Sequence, residues 1–294
     1  MEIVVASGKG GTGKTFVSSN LTYFLRSLGA KVVAVDADAE APDLLLALGG
    51  ASENVYSREV YRSRKAVIDY GRCVSCMKCF ETCRFNAIEL SNDKPVVVEE
   101  YCEGCGACSI VCPSNAISFV VKRTGLISCD VSKYGIKVVT ADLEVGGRNT
   151  GELVYMAKEE AHRIADSEGA KYIVVDAAAG IGCPVISSLA GADILIVVVE
   201  PSPQSLKGAR RLLEVAESFR TRNLLILNKY DLNPDFSEKV ASTLGIEVLG
   251  KIPYDYTIVK AYASMTPFLA YSSGGRALKP LVESFRTLYE GVLK

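Results

Sequence analysis

The sequence has almost no net charge. Its 33 lysines and arginines face 34 aspartates and glutamates, leaving −1 at neutral pH. It therefore lacks the basic stripe of a nucleic-acid binder, and no nucleic-acid partner is expected. It also lacks any apolar run of about eighteen residues, so no spanning helix and no membrane association are expected. It has one histidine, His162, placed with Lys158, Glu159 and Arg163 on the polar face of an expected helix, which reads as surface. Met1 leads directly into an apolar strand, with no charged n-region and no long h-region. No secretory signal is expected, and the chain reads as cytoplasmic.

What is present is an ordinary globular composition, 49% hydrophobic and 23% charged over 294 residues, enough for one large domain or two unequal ones. Cysteine is abundant: ten in all, eight of them between Cys73 and Cys112. In a chain read as cytoplasmic, such clustering points to metal or redox chemistry in place of disulfides.

The chain alternates short apolar strands with helical periodicity. Glu2–Ser7 reads as a buried parallel strand, Phe16–Leu28 as a helix ended by Gly29, and Lys31–Val35 as the next strand. After about residue 65 cysteines and turn residues take over, until about Val121. Strands are then expected at 135–140, 171–175, 193–199, 223–227 and 246–251, and helices at 151–167, 205–219 and 279–293. The C-terminal helix carries Leu281, Phe285 and Leu288 at core spacing, with too few basic residues for a membrane-binding face. This rhythm predicts an α/β fold, a doubly wound and mostly parallel sheet of P-loop NTPase type. It is divided as 1–65 and 122–294 around an inserted small α+β ferredoxin-like domain at 66–121.

Gly8-Lys9-Gly10-Gly11-Thr12-Gly13-Lys14-Thr15 matches the phosphate-binding loop template of glycine, four residues, then Gly-Lys-Ser/Thr. Gly8, Gly10, Gly11 and Gly13 let N–H groups, with that of Thr12, turn toward phosphate oxygens, at the positive end of the following helix. Lys14 is expected at the β- and γ-phosphates and the Thr15 hydroxyl at Mg²⁺. The apolar strand ending in Asp176 has the logic of a second Mg²⁺ carboxylate. Asp36 and Asp38 close another strand, at the carboxyl edge where open α/β sheets bind ligands. Asp43 lies nearby, with capping of the 44–48 helix as its other reading.

Lys9 gives the loop a second lysine. This resembles the deviant Walker A motif of the family containing MinD, ParA, the nitrogenase iron protein and Mrp-type proteins. The resemblance implies that Lys9 reaches a partner subunit's nucleotide in a homodimer. It also implies a catalytic set of Lys9, Lys14 and Asp38, with Asp36 near Mg²⁺ and Asp38 positioning water. Residues 177–182 resemble the family's switch II, with Ala178 in place of a proline and Gly180 offering its N–H to the γ-phosphate. Asn228-Lys229-x-Asp231 taken alone resembles a guanine-reading motif. In the MinD-like family an asparagine at this place contacts adenine, and Pro253-Tyr254-Asp255 resembles a second base-side element, so ATP is favoured over GTP.

Cys73, Cys76, Cys79 and Cys83 have C-x2-C-x2-C-x3-C spacing, repeated by Cys102, Cys105, Cys108 and Cys112. Each run is followed by Asn-Ala-Ile, an internal repeat. This is the bacterial two-cluster ferredoxin pattern, whose fourth cysteine serves the other cluster. Cys73, Cys76, Cys79 and Cys112 are expected on one 4Fe–4S cluster, and Cys83, Cys102, Cys105 and Cys108 on the second. Arg84 stands where proline follows the fourth cysteine of the other run. The competing reading is zinc. Cys183 resembles a cluster ligand of the nitrogenase iron protein, with Cys129 as its one candidate companion, but reads better as a buried thiol.

The whole chain thus resembles MinD-superfamily ATPases carrying a ferredoxin insert. The function this implies is a Mg²⁺-dependent ATPase whose nucleotide state gates electron transfer to a partner. An Mrp-type cluster carrier acting on an apo-protein and a redox-sensing nucleotide switch are the alternatives. The Cys-x-x-Cys of Mrp scaffolds is absent after residue 183.

Overall fold

The computed structural model describes residues 1–271 and 274–294. The elements run β1 (Glu2–Ser7), α1 (Lys14–Ser27), β2 (Val32–Ala37), α2 (Leu44–Ala47), β3 (Ala51–Ile68), α3 (Lys78–Thr82), β4 (Ile88–Ser91), β5 (Lys94–Val97) and α4 (Ala107–Ile110). They continue with β6 (Ile117–Ser132), β7 (Lys137–Leu143), α5 (Thr150–Glu168), β8 (Tyr172–Ala179), α6 (Cys183–Leu189), β9 (Ile194–Val199) and α7 (Pro203–Ala216). The last are β10 (Arg222–Asn228), α8 (Pro234–Leu244), β11 (Glu247–Ile252), α9 (Tyr256–Ala263) and α10 (Leu278–Leu288).

Two compact units form. The larger comprises Met1–Arg58, Ile127–Asp142 and Gly151–Lys294; the smaller comprises Glu59–Leu126 and Leu143–Thr150. The smaller unit contains all of the 66–121 stretch and adds strand residues on both sides.

Among the described residues the main sheet has the order β11-β10-β9-β1-β8-β2-β7-β6-β3. Every pairing from β11 to β7 is parallel. The fold is therefore an α/β P-loop NTPase-like fold on a mostly parallel central sheet. β1, β2 and β9 are wholly buried, as continuous Val/Ile/Ala runs covered on both faces must be. The strand order reverses at β1, where the chain steps from the β2 side to the β9 side, so the loop after β1 lies at the switch point that binds ligands in such sheets. Helices α1 and α10 pack a shared apolar layer onto the sheet through Leu21, Phe24, Leu281 and Phe285.

β3 departs from the sequence expectation. Its 18 residues form a strand that periodicity passes over, because most of them are exposed and polar residues occupy both faces. Pairing with β6 supplies what the pattern does not. Residues 50 and 133, 63 and 124, and 69 and 116 bond in reversed order, so this part is antiparallel. No helix among the described residues is long and apolar enough to cross a membrane.

Candidate functional site

Strand β1 ends at Ser7, and the loop 8–13 delivers the chain into α1. Gly11 and Gly13 adopt φ of +77° and +100°, which side chains rarely tolerate. A Cβ on Gly8 would lie 2.0 Å from the Gly208 carbonyl carbon, so loop and α7 touch backbone to backbone. A Cβ on Gly13 would meet Asn228 Nδ2 at 2.4 Å. The glycines are thus required by neighbours as well as by conformation.

Asn228, at the end of β10, is buried and bonded at both ends of its amide. Its Nδ2 donates to Thr12 O at 2.7 Å and its Oδ1 accepts from the Lys229 N–H at 3.0 Å. Lys229 Nζ donates to Gly11 O at 2.9 Å. The segment read as base-side contacts therefore braces the phosphate loop. Asp231 accepts from the Tyr254 N–H at 2.6 Å and from Arg276 Nη2 at 2.6 Å, which uses both carboxylate oxygens. Pro253 is buried. Asp255 caps α9 through Thr257 and accepts the Ala277 N–H at 3.0 Å. Burial raises its pKa, and the bonds from Thr257 and Ala277 outweigh that and hold it low.

The carboxylates converge beside Lys14, which is itself buried. Asp36 and Asp176 sit opposite each other on adjacent parallel strands β2 and β8. Burial and then the Asp176 charge push Asp36 well above the usual carboxylate range. Asp36 Oδ2 accepts the Leu44 N–H at 2.7 Å and Oδ1 the Asp38 N–H at 3.2 Å. Asp36 therefore holds the start of α2, and Asp43 makes no capping bond. Burial lifts Asp176 to about 6, against the Thr15 and Ser18 hydroxyls and the Lys14 charge. Its Oδ1 is buried without a hydrogen-bond partner. An orphaned carboxylate oxygen in a natural core calls for a ligand, and next to the phosphate-loop threonine it suits a hydrated Mg²⁺. Asp38 is half-buried; burial raises it and Lys14 opposes. The Gly180 N–H donates to Ser7 O at 2.9 Å, so in this geometry it is already engaged.

Sequence reasoning passed over Glu200, the residue after β9. It pairs with Lys9 at 2.6 Å and with Lys229 at 3.1 Å. Nothing local signals it, since both partners come from distant segments. Away from this site, Lys158 forms a buried pair with Glu2 at 2.7 Å, and His162 Nε2 lies 2.6 Å from the same carboxylate. The expected surface histidine is half-exposed with one nitrogen anchored.

In the smaller unit the cysteines fall into two sets. Cys73, Cys76, Cys79 and Cys112 line one small pocket together with Ile68, Pro95 and Ile117. Cys83, Cys102, Cys105 and Cys108 line a second small pocket with Ala66, Val97 and Phe119. Left-handed residues recur at equivalent places in the two repeats: Ser75 and Gly104, Met77 and Gly106, Asn86 and Asn115. Backbone N–H groups of Ala87 and Ala116 donate to Cys83 and Cys112 sulfurs at 3.3 Å each, and Ala66 to Cys102 at 3.4 Å. At Cys112 burial acts to raise the thiol pKa, and the bonds from Ala116 and Ser114 outweigh it and hold it low. Burial pushes Cys108 up to about 11. Lys65 is buried, with Nζ on Cys102 O at 3.0 Å and Gly146 O at 3.1 Å. Among the described residues no three His, Cys, Asp or Glu side chains gather closely enough to hold a single ion. Cys129 is fully buried in β6 and Cys183 is exposed at the start of α6.

The profile of the CobQ/CobB/MinD/ParA nucleotide binding domain matches residues 3–268. An uncharacterized protein of Methanocaldococcus jannaschii is 32% identical, over 92% of this chain and 93% of its own length. An uncharacterized ATP-binding protein of the same organism is 26% identical, over 88% of this chain and 87% of its own. Among solved structures, MinD of Pyrococcus horikoshii in complex with Mg-ADP superposes with a TM-score of 0.61 at 18% identity, covering 100% of this chain and 98% of that one. MinD of Aquifex aeolicus gives 0.60 at 22% identity, covering 98% and 96%. With a phosphate loop at the sheet's switch point and two carboxylates facing it, the chain belongs to the CobQ/CobB/MinD/ParA family of nucleotide-binding P-loop domains.

Proposed function

We propose that this chain is a Mg²⁺-dependent ATPase, acting as a homodimer, whose nucleotide state gates one-electron transfer to a partner protein. The observation that carries the reading is the pairing of a complete phosphate-loop site with two small pockets, each lined in part by four cysteines. The residues act as follows. The loop amides and Lys14 hold the phosphates, and Thr15, Asp36 and Asp176 hold hydrated Mg²⁺. Asp38 orients the attacking water, and Lys9, exposed on the loop, adds a cation to the developing charge on a neighbouring subunit. ATP is favoured over GTP because Asp231, the acid a guanine would need, already spends both oxygens on Tyr254 and Arg276. The Mg-ADP complex of the Pyrococcus MinD agrees with adenine.

The two cysteine sets are those that ferredoxin spacing assigns to two 4Fe–4S clusters. When bound, these supply one-electron transfer. Three cysteines at intervals of three in each run suit a cubane better than one tetrahedral zinc. All eight ligands lie within one unit, which favours retained clusters over donated ones. The chain passes between its units at 58/59, 126/127, 142/143 and 150/151, so backbone links the nucleotide site to the cysteine unit several times.

The test is anaerobic purification with iron and sulfide analysis, then phosphate release and midpoint potentials with and without Mg-ATP. About eight irons per chain, Mg²⁺-dependent turnover and a nucleotide-dependent potential are expected. An iron-free chain removes the redox half of the reading. Potentials indifferent to nucleotide remove the gating.

A further inference from the structure

Lys65, on β3 in the smaller unit, is a buried charge that the nucleotide site does not use; it is 3% exposed. Its Nζ donates to Cys102 O at 3.0 Å and to Gly146 O at 3.1 Å, and among the described residues no carboxylate pairs with it. The acids of the adjoining groove are engaged elsewhere: Glu99 pairs with Lys122 at 3.2 Å and Glu144 with Arg123 at 3.1 Å, while Glu100 is exposed. Lysine is rarely this buried without an anion nearby, because carbonyl dipoles offset only part of the desolvation of an ammonium. The group that Lys65 stands against is Cys102, one of the second cysteine set.

Backbone amides favour the same set. Ala66, next to Lys65 on β3, donates its N–H to Cys102 Sγ at 3.4 Å, and Ala87 donates to Cys83 Sγ at 3.3 Å. Cys73, Cys76, Cys79 and Cys112 receive one such bond among the described residues, from Ala116 to Cys112 at 3.3 Å. The surface charges point the other way. The first run carries Arg72, Lys78 and Arg84, whereas residues 101–113 of the second contain no cation. All three are exposed, and Arg72 is paired with Asp69 at 3.5 Å. Coulomb energy falls with the effective dielectric, so screened surface charges count for a fraction of a buried one, and Lys65 decides the balance.

We propose that Lys65 is the fixed countercharge of the second cysteine set, and that it makes the cluster held by Cys83, Cys102, Cys105 and Cys108 the one reduced first. A cluster on four thiolates is anionic and gains one further negative charge on taking an electron, with no bond formed or broken. A fixed ammonium and two amide dipoles therefore stabilise the reduced form more than the oxidised one. This deepens the redox half of the proposed function and rests on it.

An anaerobic redox titration of the full iron-loaded chain with dithionite, read by electron paramagnetic resonance, tests this in wild type, Lys65→Met, Lys65→Gln and Lys65→Arg. Cys76→Ser and Cys105→Ser assign the two signals. In wild type the second set's signal should appear first. Lys65→Met and Lys65→Gln should each move its equilibrium about tenfold toward the oxidised form, about 59 mV lower for one electron, and the first set's by less than about threefold. Lys65→Arg keeps the charge and should stay within about threefold of wild type. Glutamine keeps donors for the carbonyls, so a merely structural bridge groups it with wild type, whereas the charge groups it with methionine. If the neutral variants hold about four irons in place of about eight while arginine holds all, the countercharge is supported by loading instead. A second set reduced last in wild type, equal shifts in both sets, no shift in either, glutamine behaving as wild type, or arginine failing with the neutral variants overturns the proposal. Wild type without iron removes the cluster reading together with it; wild type with two clusters and any of those outcomes removes the countercharge alone.

Discussion

Replacing Asp176 by asparagine should make the protein without nucleotide more stable at neutral pH while removing a ligand of the proposed Mg²⁺ site. Asp176 is buried on β8, faces Asp36, and has an oxygen with no partner. Its pKa is about 6 in the fold against an ordinary 3.8. Because the folded value is the higher one, the folded state binds more protons than the unfolded state between these pH values. Stability is then greatest below about pH 4 as far as this group is concerned, and falls as pH rises through about 6. The gap corresponds to about 3 kcal/mol at neutral pH, an upper figure because Asp36 shares the charge and relaxes when Asp176 changes. Asparagine keeps the shape and cannot ionise. A gain of about 1–3 kcal/mol is expected, raising the melting temperature by about 2–4 °C per kcal/mol. The assay is thermal melting without nucleotide between about pH 4 and pH 8, wild type against Asp176→Asn. Wild type should lose stability across about pH 4–6 and the variant should show a flatter profile. Adding Mg-ATP should stabilise wild type and leave the variant nearly unmoved. A variant that is less stable at neutral pH, with an unchanged pH slope, would refute the claim that this carboxylate is held ionised at a cost for the sake of a cation.

Three further outcomes are expected. Gly208→Ala places a methyl 2.5 Å from Gly8 O, so the loop must shift; about 1–3 kcal/mol of stability and much of the nucleotide affinity should be lost, as read by urea denaturation and calorimetry. Lys158→Met leaves the buried Glu2 carboxylate with His162 as its remaining charged-group partner and should cost up to about 3–5 kcal/mol, whereas Glu2→Gln combined with Lys158→Met should cost less, as read by denaturation. Cys76→Ser and Cys105→Ser, one from each cavity, should each remove up to about half the iron, and the cluster kept should differ between them by its spectrum; identical losses of all iron would count against two separate sites.

The phosphate loop and the strand–helix rhythm were legible because they are local. A glycine pattern between a strand and a helix has few other uses, and continuous Val/Ile runs mark buried parallel strands. The spacing divides the eight cysteines into two fours, and the proposed cluster assignment rests on that division. β3 was not legible, since a ribbon with polar residues on both faces shows no period. The 44–48 helix was anticipated, but Asp36 fills the capping place given to Asp43, which only the approach of β2 to α2 could decide. Asn228 and Asp255, read as base contacts, turn out to spend their polar atoms on Thr12, Lys229, Thr257 and Ala277.

Sequence by itself determined the chemistry available to this protein: a phosphate cradle, three aspartates at strand ends, and two runs of thiols. These are properties of residue type and short spacing, written within a few positions of each other. Tertiary structure alone decided which charges meet. Glu200 lies 191 residues from Lys9, and Asn228 lies 216 from Thr12. Such pairs exist only because parallel strands bring distant segments to one edge of the sheet, where burial strengthens each charge and leaves Asp176 with an oxygen still to be satisfied.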